Sequence, residues 1–372
     1  MVKGGIDRFK GYERRRAWLT LALTPGVGSR TLWKLYRRFG DPALIIKASA
    51  EELRGLSGVN WTVIQAILKK QTIRDVDDEI TRLNALGIDF VCWEDENYPE
   101  PLRYIPDPPL YLFVSGGYQP EDALAVAIVG TRYPSPGGIA MAERLAMGLA
   151  SAGVTVVSGL AVGIDGAAHR GALKAGGRTI AVLGCGIDVP YPRHHVELKN
   201  RITRSGAVIS EYPLGTYPEK WRFPLRNRIV SGLALGVVVV EAGPRSGALI
   251  TARLALEQGR EVFAVPGNPG DYRSIGTNNL IKEGAVLVET VEDIFRELEI
   301  LRPSGEVEKK GNDGDNELEQ KILKMLEEEP RHVDVLCRML NLQPQELLPV
   351  LTMLEMKGKV SRLAGNFFVR RR

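Results

Sequence analysis

The chain has few cysteines and histidines, and their scarcity excludes several kinds of site. Its 372 residues include three cysteines, Cys92, Cys185 and Cys337, and four histidines. No two cysteines have the C-x-x-C spacing of a metal or redox pair, and the histidines form no cluster of ligands. We therefore expect free thiols in a reducing compartment, with neither a metal nor another cofactor.

Long apolar runs and a nucleotide-binding P-loop are missing as well. No stretch of about 18 apolar residues occurs, and the first residues contain no apolar signal core. No segment has the pattern G-x-x-x-x-G-K-[ST]. The sequence thus predicts a cytoplasmic protein that has no membrane span and no P-loop ATPase site.

Positive charge is concentrated in the first fifth of the chain. Residues 1–75 contain 15 Lys and Arg against 6 Asp and Glu, whereas the whole chain has a net charge of +4. Their apolar residues have helical spacing, and Pro25-Gly26-Val27-Gly28 resembles the turn of a helix-hairpin-helix unit. Such a turn offers backbone N–H groups at a helix start, where a phosphate can bind. A polyanionic partner is one interpretation, and a turn that only packs helices is the other.

Short β-rich runs alternate with helical segments from residue 76 to residue 300. Several of these runs are apolar throughout, as strands buried on both faces are. The spacing predicts an α/β fold with a doubly wound, mostly parallel sheet of the extended Rossmann-like kind. The runs are 126–129, 154–157, 179–183, 207–210, 237–240 and 262–265.

Composition changes again after residue 300. Residues 301–316 are rich in glycine and charged residues, which predicts a linker. Residues 317–372 contain three helical stretches and a hairpin with Gly365-Asn366 at its turn, which is a winged-helix pattern. The predicted domains are thus a helical domain of the helix-hairpin-helix or SAM-like kind at 1–75, the sheet domain at 76–300 and a winged helix at 317–372.

One segment of the sheet domain combines cations with aromatic side chains. Cations bind phosphates and aromatic rings stack on bases, which suits a single strand better than a duplex. The alternative is a solvated loop whose rings fill the core. The segment runs from Tyr217 to Arg228 and contains Lys220, Trp221, Arg222, Phe223 and Arg226.

Several predicted strands end in glycine-containing turns that suit phosphates. Gly130-Thr131-Arg132 follows the first strand, Gly159 ends the second, and Arg245-Ser246-Gly247 opens a later helix with Ser246 as its N-cap. Because open α/β sheets bind ligands at the carboxyl ends of their strands, these turns predict one phosphate-binding groove. The second strand ends without an acidic side chain, which disfavours NAD.

Two further groups of the sheet domain were candidates for catalysis. Asp165 and His169 lie four residues apart on a predicted helix, and Cys185 follows a strand between two glycines. No nucleophile or metal completes an acid–base pair, and a lone thiol is more often structural. We therefore interpret Asp165 as a charge at a helix start, His169 as a hydrogen-bonded side chain and the protein as non-catalytic.

A set of motifs occurs in one order along the sheet domain. It includes Ile128-Val-Gly-Thr-Arg132, Ser158-Gly-Leu-Ala-x-Gly-Ile-Asp165, Phe223-Pro-x-Arg-Asn-Arg228, Ser246-Gly-Ala-Leu-Ile-Thr-Ala252 and Gly259-Arg-x-Val-Phe-Ala-Val-Pro-Gly267. In these motifs the chain resembles the DNA-processing protein A family, also called DprA or Smf. The flanking modules are similar to that family's N-terminal helical domain and C-terminal winged helix.

The resemblance implies a non-catalytic protein that binds single-stranded DNA in natural transformation and recombination. It implies partners as well: the RecA recombinase, DNA covered by single-strand-binding protein, and a second copy of the chain in a homodimer. The family's DNA pocket falls on Arg132, Lys220 and Phe223. From the residues alone we add Arg226 and Arg228, although Arg228 also suits a buried ion pair, and we expect Arg132 on the wall opposite the 217–228 segment.

Two other functions deserve comparison. The predicted fold resembles that of the lonely-guy phosphoribohydrolases, which cleave nucleotide N-glycosidic bonds. The segment that carries paired carboxylates in those enzymes reads Gly243-Pro-Arg-Ser-Gly-Ala248 here. DNA binding by the terminal modules is the other possibility. The predicted recognition helix, 345–357, carries one cation, Lys357, so we expect the winged helix to contact protein rather than the major groove.

Overall fold

A computed structural model describes residues 5–300, 319, 321–326, 330–340, 342–356, 359–363 and 367–370. Its contacts divide the chain into two units, Met1–Arg302 and Pro303–Arg372. Among the described residues, no helix combines the length and the apolar character needed to cross a bilayer.

Six helices precede the sheet. The apolar spacing within residues 1–75 predicted three of them, but neither the helix at 76–86 nor the two short ones. The short ones depend on their starts: Asp41 caps one, and Ser49 forms a capping box with Glu52 in the other. The helices are α1 (Gly5–Leu23), α2 (Ser29–Phe39), α3 (Pro42–Lys47), α4 (Ala50–Arg54), α5 (Trp61–Leu68) and α6 (Val76–Leu86).

Nine strands of the described chain form one sheet in the order β1-β2-β6-β5-β4-β3-β7-β8-β9. In this order, every pair of neighbours from β6 onward is parallel. The pairs β1–β2 and β2–β6 at the other edge are antiparallel. The prediction of a mostly parallel α/β sheet is therefore confirmed. The strands are β1 (Ile88–Cys92), β2 (Tyr111–Gly116), β3 (Ala125–Val129), β4 (Thr155–Ser158), β5 (Thr179–Leu183), β6 (Ala207–Ser210), β7 (Gly236–Val239), β8 (Glu261–Ala264) and β9 (Val286–Leu287).

Helices cover both faces of this sheet, and the alternation of side chains along β3 shows how. Val126 and Ile128 join a core with α7 and α8, whereas Ala125 and Ala127 join another core with α10 and α11. Both faces are thus buried, as the continuously apolar strands require. The helices are α7 (Pro136–Ser151), α8 (Ile164–Lys174), α9 (Val196–Ser205), α10 (Arg222–Gly232), α11 (Gly247–Glu257), α12 (Ile275–Lys282) and α13 (Val291–Glu297).

The N-terminal helices share a core with the antiparallel edge of the sheet. Trp18 of α1 and Phe113 of β2 belong to one cluster of buried residues. Glu94, just after β1, accepts hydrogen bonds from Arg14 Nη2 at 2.7 Å, Trp18 Nε1 at 3.2 Å and the Tyr36 hydroxyl at 2.6 Å. The predicted division at residue 75 therefore does not coincide with a gap between cores.

The C-terminal unit has the predicted winged-helix pattern. Residues 321–325 are helical, and the helices Val333–Leu340 and Pro344–Met356 follow. The strands β10 (Arg331–His332), β11 (Val360–Leu363) and β12 (Phe367–Arg370) form an antiparallel sheet in the order β10-β12-β11. The predicted linker, the hairpin turn at Gly365-Asn366 and Lys357 lie outside the described residues.

Candidate functional site

A cavity of about 690 Å³ lies at the carboxyl ends of the strands. The chain builds the sheet outward from β3 in one direction and from β7 in the other, so the crevice between these two strands is the place where such sheets bind ligands. The structure brings together all the predicted site residues except Arg228. Lining the cavity are Gly130, Thr131, Arg132, Gly159, Lys220, Phe223, Arg226, Arg245, Ser246 and Gly247.

Phe223 is a half-buried ring in the first turn of α10. It rests on Gly184 at the end of β5, where a Cβ atom would come within 2.9 Å of its Cδ1, and its centroid is 5.6 Å from that of Tyr191. The guanidinium of Arg132 lies over the Phe223 ring, 5.3 Å from its centroid. The prediction that Arg132 stands on the opposite wall is therefore wrong: the two side chains form one stacked pair.

Three exposed cations line the cavity, namely Arg132, Lys220 and Arg245. None of them forms an ion pair with another described residue. Their positive charge is therefore not neutralised within this unit. An anion entering the cavity would meet it without first having to break an internal salt bridge.

Arg226 belongs to the wall of the cavity rather than to its mouth. Its side chain is 5 % exposed, and Nη1 donates to the carbonyl of Gly159 at 2.7 Å and to that of Val182. Burial lowers the pKa of Arg226, and the neighbouring carboxylate of Asp165 opposes this shift. Arg226 thus ties together the ends of β4 and β5, which is a positioning role.

Arg228 does not line the cavity, and its prediction as a DNA contact is corrected. It is 6 % exposed, and Nη2 donates to both carboxylate oxygens of Glu211 at 2.7 Å. Nε lies 3.4 Å from Asp107 Oδ2. A buried arginine needs such partners, because an unpaired charge in this position would carry a large desolvation cost.

Trp221 could face either DNA or the core on the sequence alone, and the structure shows that it is not in the core. It is 55 % exposed and does not line the cavity. Its indole N–H donates to Glu219, and the guanidinium of Arg222 lies 4.9 Å from its ring centroid. These contacts keep Trp221 on the surface beside the site.

Helix α7 begins after β3 and helix α11 begins after β7. Among the described residues, hydrogen bonds bring a carboxylate only to the start of α7. Glu241, which follows β7, accepts hydrogen bonds at the start of α7 from the N–H of Ser135 at 2.9 Å and from its hydroxyl. A Cβ on Gly138 would come within 2.5 Å of this carboxylate. At the start of α11, Ser246 Oγ accepts from the N–H of Ala248 at 3.3 Å, and the hydrogen bonds of the described residues bring no carboxylate there. The α7 turn is thus a poorer phosphate site than its glycines suggested.

The titratable groups behind the cavity are buried, and burial shifts their pKa values. Asp165 accepts from the N–H of Ala161 at 3.3 Å, and burial raises its pKa against the effect of Arg226. His169 Nδ1 lies 2.7 Å from Thr179 Oγ1, and burial lowers its pKa to about 3. Burial raises the pKa of Cys185 to about 11. The imidazole is therefore neutral and hydrogen-bonded, as interpreted from the sequence, and the thiol is protonated.

Two exposed tyrosines in the cavity lining were missed by the sequence analysis. Tyr133 is 83 % exposed, and Tyr272, which packs on Gly243, is 62 % exposed. Tyr133 directly follows Arg132, and an aromatic residue beside a cation in a strand-to-helix turn was a usable signal. Tyr272 had no such signal, because the segment after β8 reaches the cavity only in the folded chain.

Comparison with known families matches two segments of the chain. Residues 89–299 match the family described as DNA recombination-mediator protein A, and residues 308–366 match the DprA winged helix domain. Residues before 89 lie outside both matches. The two family descriptions thus cover most of the sheet domain and of the C-terminal unit.

Individual relatives agree with this assignment. Protein Smf of Synechocystis is 36% identical over 76% of this chain and 72% of its own length, and the DNA processing protein DprA of Bacillus subtilis is 42% identical over 65% and 84%. The crystal structure of DprA from Streptococcus pneumoniae has a TM-score of 0.66 at 36% identity and covers 76% of this chain and 97% of that one. The DNA processing protein A of Helicobacter pylori, whose structure is described for its single-stranded DNA binding mode, has a TM-score of 0.51 at 31% identity over 57% and 96%.

Proposed function

Because the chain belongs to the DNA recombination-mediator protein A family, we propose that it binds single-stranded DNA in the cavity between β3 and β7. One observation carries the proposal: unpaired, exposed cations and aromatic rings line the same cavity. Cations bind backbone phosphates whatever the base sequence, and aromatic rings can stack on any base. The combination therefore suits a strand whose bases are unpaired. The described binding mode of the Helicobacter pylori relative supports this ligand.

The stacked pair of Arg132 and Phe223 suggests how a strand enters. A base stacked on an aromatic ring contributes roughly 1–3 kcal/mol, whereas an exposed cation–π contact contributes about 0.5–1 kcal/mol. A base that replaces the guanidinium on the Phe223 ring therefore gains stability, and Arg132 is released toward the adjacent phosphate. Lys220, Arg245 and the start of α11 contact further phosphates, while Arg226 holds the wall in place.

The composition of the cavity supports binding without bond cleavage. Asp165 is the one carboxylate among the described lining residues, and it is buried beside Arg226. A phosphoribohydrolase would need paired carboxylates at the bond that it cleaves. The segment Gly243–Ala248 supplies Arg245 and Ser246 instead, so hydrolysis of nucleotides is not favoured.

The family assignment extends the proposal to recombination in the reducing interior of the cell. The protein would act as a homodimer that delivers single strands, including strands covered by single-strand-binding protein, to the RecA recombinase. The cysteines Cys92, Cys185 and Cys337 are free and buried, which suits such a compartment. Formation of RecA filaments on covered DNA with and without the protein, and sedimentation of the protein alone, test these two steps.

The binding step is tested with the double variant Lys220→Ala and Phe223→Ala. A gel shift with an oligothymidylate should show binding by the wild-type protein and none by the variant, because a phosphate contact and a base contact are lost together. Trp221→Ala is the matched control, since this exposed ring lies outside the cavity. Wild-type affinity in a folded double variant would overturn the proposal. Release of adenine from AMP by the wild-type protein would instead favour the enzyme.

A further inference from the structure

We propose that the exposed side of α2 is a second binding surface for the phosphodiester backbone of DNA, separate from the cavity. The surface, called the α2 face below, consists of Arg30, Lys34, Arg37 and Arg38. Every exposed position of α2 carries one of these cations, and the helix contains no acidic residue. The α2 face lies before residue 89, outside the segments that the family comparison covers.

The spacing of the four cations places them on one side of a fixed helix. Positions 30, 34, 37 and 38 follow the helical i, i+4, i+7, i+8 pattern, while Leu32 and Leu35 are buried on the other side. The Tyr36 hydroxyl donates to Glu94 at 2.6 Å, which anchors this other side to the start of the sheet domain. The α2 face is therefore a preorganised row of charges.

The stability of the helix explains this row only in part: Arg37 and Arg38 lie in the last turn, where cations favour the helix dipole, and near the rings of Trp33 and Phe39. Arg30 lies in the first turn, where a cation opposes the helix dipole, and the pairs 30/34 and 34/38 place like charges four residues apart. Each such pair costs about 0.2–0.5 kcal/mol. None of the four forms an ion pair with another described residue, although Lys34 Nζ donates to the carbonyls of Ser57 at 3.1 Å and Gly58 at 3.2 Å. An external polyanion would relieve this repulsion.

The chemistry of the α2 face selects DNA rather than a protein partner. Protein interfaces have an apolar centre depleted in charge, whereas DNA interfaces are polar and strongly positive. The exposed positions of α2 include no apolar residue. The start of the helix is a weaker candidate than its side, because Ser29 Oγ donates to the carboxylate of Asp107 at 3.1 Å and so brings an anion to that end.

Contacts within the same unit connect the α2 face to the cavity. Asp107, which binds Ser29 at the start of α2, also pairs with Arg228 of α10. Phe223 lies five residues earlier on α10, or ~7.5 Å along the helix axis. Asp107 therefore joins the start of α2 to the helix that carries Phe223. We infer that a longer strand, or a duplex beside it, reaches both surfaces.

The test compares two triple variants of the full chain. Arg30→Gln, Arg37→Gln and Arg38→Gln remove three of the four cations of the α2 face. They keep Lys34, whose Nζ donates to backbone carbonyls of the chain. Arg201→Gln, Arg253→Gln and Lys282→Gln remove three other exposed cations and change the net charge equally. Fluorescence anisotropy is measured at several salt concentrations with oligothymidylates of about 6 and about 30 nucleotides and with a duplex of about 30 base pairs.

The α2 variant should bind the long strand or the duplex about tenfold more weakly, with a salt slope smaller by about 2, since each phosphate contact contributes about 0.7–0.9. If the affinity falls for only one of the two long ligands, that ligand is the form of DNA that the α2 face binds. The short strand should bind as to the wild-type protein, and this ligand tests the cavity independently. Unchanged slopes with both long ligands, or an equal loss in the control variant, would overturn the inference.

Discussion

The charged residues around the cavity fall into an outer group and an inner group that differ in what balances their charge. The outer group, Arg132, Lys220 and Arg245, is exposed and forms no ion pair within the described chain. The inner group consists of Asp165, Glu211, Arg226 and Arg228, and each of its arginines meets a carboxylate or a carbonyl. The outer group is therefore available to a ligand, and the inner group is committed to the fold.

The comparison teaches that a basic run in a sequence does not have one role. Lys220 precedes α10 and stays exposed, whereas Arg226 and Arg228 lie within the helix and point into separate buried environments. Residues two positions apart on a helix face in nearly opposite directions. Their positions on α10, rather than their charges, decide which of them can meet DNA.

The largest expected effect comes from breaking the inner group at Arg228. Arg228→Ala leaves Glu211 and Asp107 without their cation, and loss of one partner of a buried pair costs about 3–5 kcal/mol. Urea unfolding should show this loss, while oligothymidylate affinity of the folded variant stays at the wild-type level. Arg296→Ala, which breaks an exposed pair with Asp293, is the control and should cost less than about 1 kcal/mol. Weakened DNA binding at unchanged stability would place Arg228 in the outer group.

The next effect concerns pH and the buried imidazole of His169. Burial lowers its pKa from 6.5 to about 3, so the unfolded chain binds more protons than the folded chain between these values. Stability is therefore complete above pH 6.5 and falls as the pH drops toward 3, by about 1.4 kcal/mol per unit within this window.

His169→Asn keeps a donor for Thr179 and removes this titration. Over the two pH units below 6.5 the wild-type protein should lose about 2–3 kcal/mol more than the variant, measured by urea unfolding across the range. His194→Asn changes an exposed histidine and should keep the wild-type slope. Parallel curves for His169→Asn and the wild-type protein would contradict the lowered pKa of His169.

Most strands of the sheet could be predicted from the sequence alone. The apolar runs and the glycine turns predicted β3 to β8 within one residue at each end, because strands buried on both faces have few other interpretations. The antiparallel edge, Ile88–Cys92 and Tyr111–Gly116, escaped prediction because its pairing joins segments separated by a proline-rich stretch. Pairing partners are a tertiary property that local pattern does not contain.

Within the site, the sequence predicted residue types better than orientations. The turns at Gly130–Arg132 and Arg245–Gly247 do meet at one cavity, since the carboxyl ends of parallel strands share an edge. Sequence could not indicate that Glu241 would fill the start of α7, or that Tyr272 would arrive from beyond β8. Both depend on contacts between segments that are distant along the chain.

A smaller effect is expected from an outer residue that carries no charge. Tyr272→Ala removes an exposed ring from the cavity, and loss of one stacked base costs roughly 1–3 kcal/mol, or about tenfold or more in affinity. Anisotropy with an oligothymidylate measures it. Tyr104→Ala removes another exposed tyrosine, which lies outside the cavity, and should bind as the wild-type protein does. Equal affinities for all three proteins would exclude Tyr272 as a stacking residue.

The smallest expected effect tests whether a phosphate binds at the start of α11, where, unlike at the start of α7, no described carboxylate is bonded. Arg245 adjoins the α11 start, to which no described carboxylate is bonded, so a phosphate there would bind both the helix N–H groups and this side chain. Arg245→Gln should weaken binding severalfold and lower the salt slope by about 0.7, the contribution of one single-strand phosphate. Arg253→Gln, farther along α11, should leave the slope unchanged. If Arg245→Gln also leaves it unchanged, the strand does not reach α11, and phosphate binding within the cavity is confined to Arg132 and Lys220 beside Phe223.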